Sequence, residues 1–241
     1  MSALLALDLT KILFLDIETV PMVATYGELD NSLHQLWNDK AAKLASAEET
    51  PETLFERAGI YAEFGKIICI SVGVFNLREG GKREFRLRSF FGDNEKILLQ
   101  DFSDMLNRHF NRTDHILCAH NGKEFDFPYI ARRMVINRLP VPKILDMVGK
   151  KPWEVQHLDT MELWKFGDRK SFTSLKLLTH VLGIPTPKTD IEGKDVARVY
   201  YVEKDLDRIE RYCKRDTLAV AQLLLRFRNE EILTEDQIIE K

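Results

Sequence analysis

The sequence predicts an α/β protein, a mixed β-sheet with helices on both faces. Three observations carry that expectation. Segments rich in Ile, Val, Leu and Phe at residues 12–19, 66–75, 83–90 and 116–119 read as buried strands. The first three follow one another as a meander, whereas the fourth, and a fifth just before Asp159, each come after a helical segment. Helices that must bury an apolar stripe against one sheet are placed most economically on both of its faces.

Taken in order, residues 1–11 form a short lead. Residues 12–15 are apolar without a break and run into Asp16-Ile17-Glu18-Thr19, after which Pro21 turns the chain away. Leu29, Leu33, Leu36, Trp37 and Leu44 recur at helical spacing across 28–47, and Pro51 and Gly59 bracket a shorter helix at 52–57. Residues 22–60 therefore read as a mostly helical insertion within a single domain spanning 1–241. Its acids and lysines form a solvated surface, with a lid or partner surface as the alternative.

Gly80-Gly81 is a hairpin signal between the second and third strands. Asp93 or Asn94 is placed to cap a helix carrying Ile97, Leu98, Phe102, Met105, Leu106 and Phe110. After the strand at 116–119 comes the loop His120-Asn121-Gly122, then a helix over about 125–136 with Pro128 in its first turn. Ser171 is the expected start of a helix carrying Leu175, Leu178 and Leu182, which Gly183 and Pro185 end. Residues 186–194 read as a polar loop. A last long helix over 203–229 presents Leu206, Ile209, Cys213, Val220, Leu223 and Phe227 as one apolar stripe.

A length of 241 residues is ample for one large core, and the formal net charge of -3 excludes a strongly basic binder, although an enzyme can still use a local positive patch. The cysteines, Cys69, Cys118 and Cys213, stand in apolar settings with no close pair in sequence, as buried thiols of a reducing compartment do. No signal peptide or membrane span is visible, so the expectation is a cytoplasmic protein with no membrane partner. No zinc-site spacing, G-x-G-x-x-G, phosphate-binding glycine loop or G-x-S-x-G is present.

Side chains of a strand alternate between faces, so Asp16 and Glu18 point the same way and Ile17 points opposite. Two carboxylates on one buried face repel, and a hard divalent cation relieves that repulsion. Asp126, just beyond a buried strand, is either an acid favoured by a helix N-terminus or a metal ligand supplied from a loop. Asp216 interrupts the apolar stripe of the last helix, where a bare acid is unfavourable. Tyr212 stands one turn earlier on the same face, either to reach a water or phosphate or to hydrogen-bond Asp216 at the edge of the core. Asn121 is a substrate contact or a turn-former. His157 and Asp159 flank Leu158 at strand spacing and read as a structural histidine and a helix cap, and His120 as a turn residue.

These residues carry a resemblance. The segment 16–21 resembles the first motif of the DEDD superfamily of 3′–5′ exonucleases, His120-Asn121 with Phe125-Asp126 resembles the second, and Tyr212-x-x-x-Asp216 resembles the third in its tyrosine form (DEDDy). The three motifs occur in order across residues 12–227. They are most similar to the proofreading exonuclease domain of family-B DNA polymerases, in the small form called predicted polymerase-B-like exonuclease.

The resemblance implies a ribonuclease-H-like fold and two Mg2+ ions, with Mn2+ as a substitute, held by Asp16, Glu18, Asp126 and Asp216. Tyr212 then orients or helps activate the attacking water. Two ions about 4 Å apart clamp a scissile phosphate from both sides, which is why four acids without a histidine base suffice. Thr19 contacts the terminal nucleotide, and Phe125 packs in the core, supports the pocket or stacks on a base. Arg132, Arg133 and Arg138, then Lys165, Arg169 and Lys170, then Lys214 and Arg215 are candidates to neutralise phosphates, each also readable as a solvated helix face.

The expected partner is single-stranded or frayed nucleic acid, DNA in preference to RNA. The remaining chain has no room for a polymerase palm or fingers, which implies independent action or a polymerase or repair partner. An exoribonuclease or oligonucleotide-degrading enzyme is the alternative. A non-catalytic binding module is a second, disfavoured because clustered acids give a binder of polyanions nothing.

Overall fold

The strand Ile12–Pro21 (β1) runs through the middle of the protein, and its first four residues are at most 1 % exposed. In the computed structural model, which describes residues 2–46, 48–78, 80, 82–168, 172–185 and 191–240, it pairs antiparallel with Gly65–Leu77 (β2) on one side and parallel with Ile116–Ala119 (β4) on the other. Arg83–Phe91 (β3) extends the meander antiparallel to β2, and the two-residue strand Leu158–Asp159 (β5) joins β4 in parallel. The sheet order is β5-β4-β1-β2-β3-β6.

The sixth strand, β6 (Ile238–Glu240), is absent from the five-strand reading; it is a three-residue edge that pairs parallel with β3. A segment so short carries no periodicity, and its pairing exists only once β3 is in place.

The expected two-faced packing is present. Leu13, Leu15 and Ile17 of β1 point into one core, built with α4 (Glu95–His109) and α5 (Asp126–Ile136). Ile12 and Phe14 point into the opposite core, beneath α7 (Leu175–Val181) and α9 (Leu206–Phe227). The architecture is a mixed α/β sheet flanked by helices, consistent with a ribonuclease-H-like fold.

Between β1 and β2 lie α2 (Asn31–Leu44) and α3 (Pro51–Phe55). They enclose a core of their own around Trp37, which is fully buried and donates its indole N–H to the Pro51 carbonyl at 2.7 Å. Gly59 then lies flat against β1, where an added Cβ would meet the Val20 carbonyl carbon at 2.9 Å. At the amino end, Ser2–Leu5 (α1) is tied down by Arg228, which donates to the Leu4 and Leu7 carbonyls at 2.6 and 3.0 Å.

Asn94 caps α4, its side chain accepting from Ile97 N–H at 3.2 Å. The helix Thr160–Lys165 (α6), unmarked by any apolar stripe, begins directly on β5. The expected start at Ser171 lies outside the described residues; α7 begins at Leu175 and is capped by Ser174. Gly80 takes a left-handed φ of 82°, and Gly81 lies outside the described residues, as do residues 186–190 of the expected polar loop. The last helix begins at Leu206 and not near 203, because α8 (Val196–Arg198) continues into a π-helical turn, Val199–Glu203, that ends on Lys204 at φ 59°.

Candidate active site

Asp16 and Glu18 extend the Ile12–Phe14 side of β1 toward α9. In the antiparallel register Asp16 stands opposite Ser71 and Glu18 opposite Cys69, and only beyond Glu18 does the ladder slip. Two side-chain bonds pin α9 to this rung: Cys213 Sγ donates to the Asp16 carbonyl at 3.3 Å, and Thr217 Oγ1 to the Ser71 carbonyl at 3.3 Å. Because Asp16 and Ser71 are register partners, the helix can neither slide nor roll without losing both. Tyr212, Cys213 and Asp216 are thereby held over the carboxylates.

Asp126 reaches the site from β4. The loop after Ala119 reverses through Asn121 at φ 63°, whose carbonyl accepts from Glu124 and Phe125 N–H at 3.2 and 3.0 Å. Gly122 is required there, since a Cβ would lie 2.4 Å from the Ala119 Cβ. Asp159, 2 % exposed, accepts from Asn121 N–H at 2.9 Å and Lys123 N–H at 3.2 Å while capping α6 through Met161 and Glu162 N–H. It is a cap, as expected, and it also clamps the loop that delivers Asp126 to the first turn of α5. His157 is structural: Nδ1 accepts from Leu117 N–H at 3.2 Å and Nε2 donates to the Ile144 carbonyl at 2.8 Å. His120 bonds Thr160 Oγ1 and the Thr173 carbonyl, both at 2.9 Å.

Among the described residues, Asp16, Glu18 and Cys213 bring ligand atoms within 4.8 Å of one another. Asp126 and Asp216 stand outside that triangle, yet their charges raise the pKa of both Asp16 and Glu18. Burial is the larger cause in each case and lifts both acids well above the ordinary carboxylate range. Burial also raises Asp126 to about 7, against backbone N–H groups of Asp126 and Ile17 that favour its charged form, and Asp216 to about 6, against a hydrogen bond from Tyr212. The Tyr212 phenol is driven upward by burial and by Asp216, Glu18 and Asp16.

Asp16 Oδ2 is sealed from solvent with no hydrogen-bond partner, and among the described residues no ion pair reaches Asp16, Glu18 or Asp126. Buried acids crowded together with an orphaned oxygen fit a divalent cation: the donors are there and the countercharge is not. Asp16, Glu18 and Cys213 are residues that could coordinate it.

Beside Glu18 opens a cleft lined by Thr19 and Phe125, by Arg57, Gly59 and Ile60 from the segment before β2, and by Lys194. Asn121 Oδ1 is buried without a partner. The basic residues divide. Arg133 is 7 % exposed and committed to Glu95, with Nε–Oε1 at 2.8 Å, so it is not a phosphate ligand; the helical periodicity placed it beside Arg132 but could not show that it faces inward. Lys214 pairs with Glu210 at 2.7 Å and Glu240 at 3.4 Å. Arg132 is exposed, and Arg169 and Lys170 lie outside the described residues.

Residues 60–240 match the sequence model of a family described as a predicted 3′–5′ exonuclease related to the exonuclease domain of PolB. The chain belongs to this family. Within the matched region of this PolB-exonuclease relative lie Asn121, Phe125, Asp126, Tyr212 and Asp216, while Asp16, Glu18 and Thr19 precede it. The family B DNA polymerase from the hyperthermophilic archaeon Pyrobaculum calidifontis has a similar fold, with a TM-score of 0.53 and 16 % identity over 89 % of this chain. The match covers 24 % of that polymerase, so the chain spans about a quarter of its length. No helix among the described residues is long and apolar enough to cross a membrane.

The residue that sequence reasoning missed is Cys213, read there only as a buried thiol. The available signal was its place on α9, three residues before Asp216 on the same stripe.

Proposed function

We propose that this chain is a metal-dependent 3′–5′ exonuclease of the tyrosine type, acting on single-stranded or frayed DNA. The observation that carries the reading is the grouping of Asp16 and Glu18 on β1 with Asp126 of α5 and Asp216 of α9, whose charges raise the pKa of both strand acids, with no ion pair to Asp16, Glu18 or Asp126 among the described residues and one Asp16 oxygen that has no partner. Family membership supports the reaction class. Asp16, Glu18, Asp126 and Asp216 would hold two divalent ions, magnesium or manganese, which would supply Lewis acidity to the phosphate and lower the pKa of a water.

The chain's own residues bind and orient. Thr19 and Phe125 line the cleft beside Glu18 and take the terminal nucleotide. Asn121 Oδ1 offers it a free acceptor. Tyr212 donates to Asp216 and orients or helps activate the attacking water. The 22–60 insertion, in a single exonuclease domain, acts as the wall of the nucleotide cleft.

The experiment is digestion of 5′-labelled single-stranded DNA and RNA in parallel with Mg2+. A descending ladder from DNA, lost in Asp16→Ala and on blocking the 3′ end, is the expected result. Cuts within a circular single strand would overturn the exonuclease assignment. A faster ladder from RNA would overturn the sugar preference alone.

A further inference from the structure

Cys213 gives the carboxylate site a donor that oxygen-only metal chemistry does not use. It is fully buried, its Sγ lies against the Asp16 carbonyl at 3.3 Å, and its ligand atom belongs to the same 4.8 Å triangle as Asp16 and Glu18. Cys69, opposite Glu18 in the β1–β2 register, belongs to the same buried cluster as Cys213. Independently, Asp16 Oδ2 is sealed and unpartnered. Magnesium takes oxygen ligands in a near-octahedral shell, whereas zinc accepts thiolate and carboxylate together in a four-coordinate one.

We propose that Asp16, Glu18 and Cys213 form a mixed oxygen–sulfur site for a thiophilic divalent ion, zinc first among them, which competes with magnesium for the same two carboxylates and so holds the enzyme inactive. The proposal deepens the nuclease reading and rests on it. Binding displaces the thiol proton to solvent, and the sulfur enters as thiolate with no change of oxidation state. The two carboxylates then serve the zinc and are withdrawn from the oxygen-only arrangement that cleavage needs. Cys118, buried in the core on the α7 side of β4, has no part in the site.

The test uses the intact chain without nucleic acid. Cobalt(II), a spectroscopic stand-in for zinc, should bind the wild type with a thiolate-to-metal charge-transfer band in the near ultraviolet. The band should survive in Cys118→Ser and vanish in Cys213→Ser. Calorimetric titration with zinc and with magnesium should show the preference for zinc falling roughly tenfold or more in Cys213→Ser. Zinc at one equivalent should suppress the magnesium-supported ladder of the wild type, and smaller amounts should slow it in proportion to the sites filled. Stoichiometric cobalt binding to the wild type without the band overturns the sulfur ligand whether or not Cys213→Ser folds. If magnesium-dependent cleavage persists alongside that result, the nuclease reading stands and only the zinc site falls. Absence of binding by cobalt, zinc and magnesium alike overturns both.

Discussion

Tyr212 and Asp216 share a helix face and a hydrogen bond, but only one carries the charge a cation needs. Asp216→Asn keeps size and removes charge; cleavage should be almost abolished while the melting temperature holds. Tyr212→Phe keeps the ring and removes the hydroxyl, and turnover should fall by about 10-fold to 1000-fold, the range of a positioning group, with metal affinity little changed. A purely structural Tyr–Asp pair predicts the reverse pattern: both variants melt earlier and keep their activity per folded molecule. Turnover, titration calorimetry and thermal melting on the same preparations separate the two.

At the scale of elements, the site depends on how loops and helices are fastened to the sheet. Asp159 holds Asn121 and Lys123 N–H on one side and the first turn of α6 on the other. Asp159→Ala removes a cap and strands buried donors, so a loss of about 2–3 kcal/mol is expected in urea unfolding, together with reduced cleavage as the Asp126 loop loosens. Across the sheet, Glu95 accepts from Ile67 N–H, both arms of Arg133 and Asn137, and Arg133 also donates to the Ala62 carbonyl. This joins α4, α5, β2 and the approach to β2. Arg133→Met leaves a buried carboxylate uncompensated, and about 3–5 kcal/mol should be lost with turnover per folded molecule intact. Equal loss of turnover would mean that this network sets the site's geometry as well as its stability.

For the whole molecule, two linkages follow. Burial depresses His157 to about 4, with Lys150 and Lys123 adding to it; its Nδ1 also accepts from Leu117 N–H, a bond that protonation would break. Above its unfolded value of 6.5 both states are neutral and stability is fully present. As pH falls from 6.5 through 4, the unfolded chain takes up the proton first and stability is lost. The contribution is on the order of 3 kcal/mol across that window. Denaturant unfolding of wild type and His157→Gln between pH 7 and 4 should therefore show the wild type losing that much relative to the variant; parallel curves would refute the assignment. The second linkage is to metal. Magnesium at a hundredfold excess over its Kd stabilises the folded state by about 2.7 kcal/mol, on the order of 5–10 °C for a chain of this size. Scanning calorimetry should show that rise in the wild type and its absence in Asp16→Ala.

The local chain order alone determined the strand of residues 12–19, the meander, the inward stripe of the last helix and the misfit of Asp216 within it, because periodicity of 2 and 3.6 is a property of neighbours in sequence; that the strand runs on through Pro21, which pairs with Gly65 and does not turn the chain away, was decided by the β1–β2 ladder. It also placed Asp16 and Glu18 on one face, which the β1–β2 register requires of any strand there. Tertiary structure alone decided which partners those faces meet. Cys213 is an ordinary apolar position until the Asp16–Ser71 rung receives α9 and sets its thiol beside two carboxylates. Arg133 is one of three nearby arginines until α5 packs against α4 and turns it onto Glu95. β6 is three unremarkable residues until β3 offers an open edge. In each case the deciding contact joins residues distant in sequence, and its energy comes from burial and pairing that exist only once the sheet and its two helical layers have closed on one another.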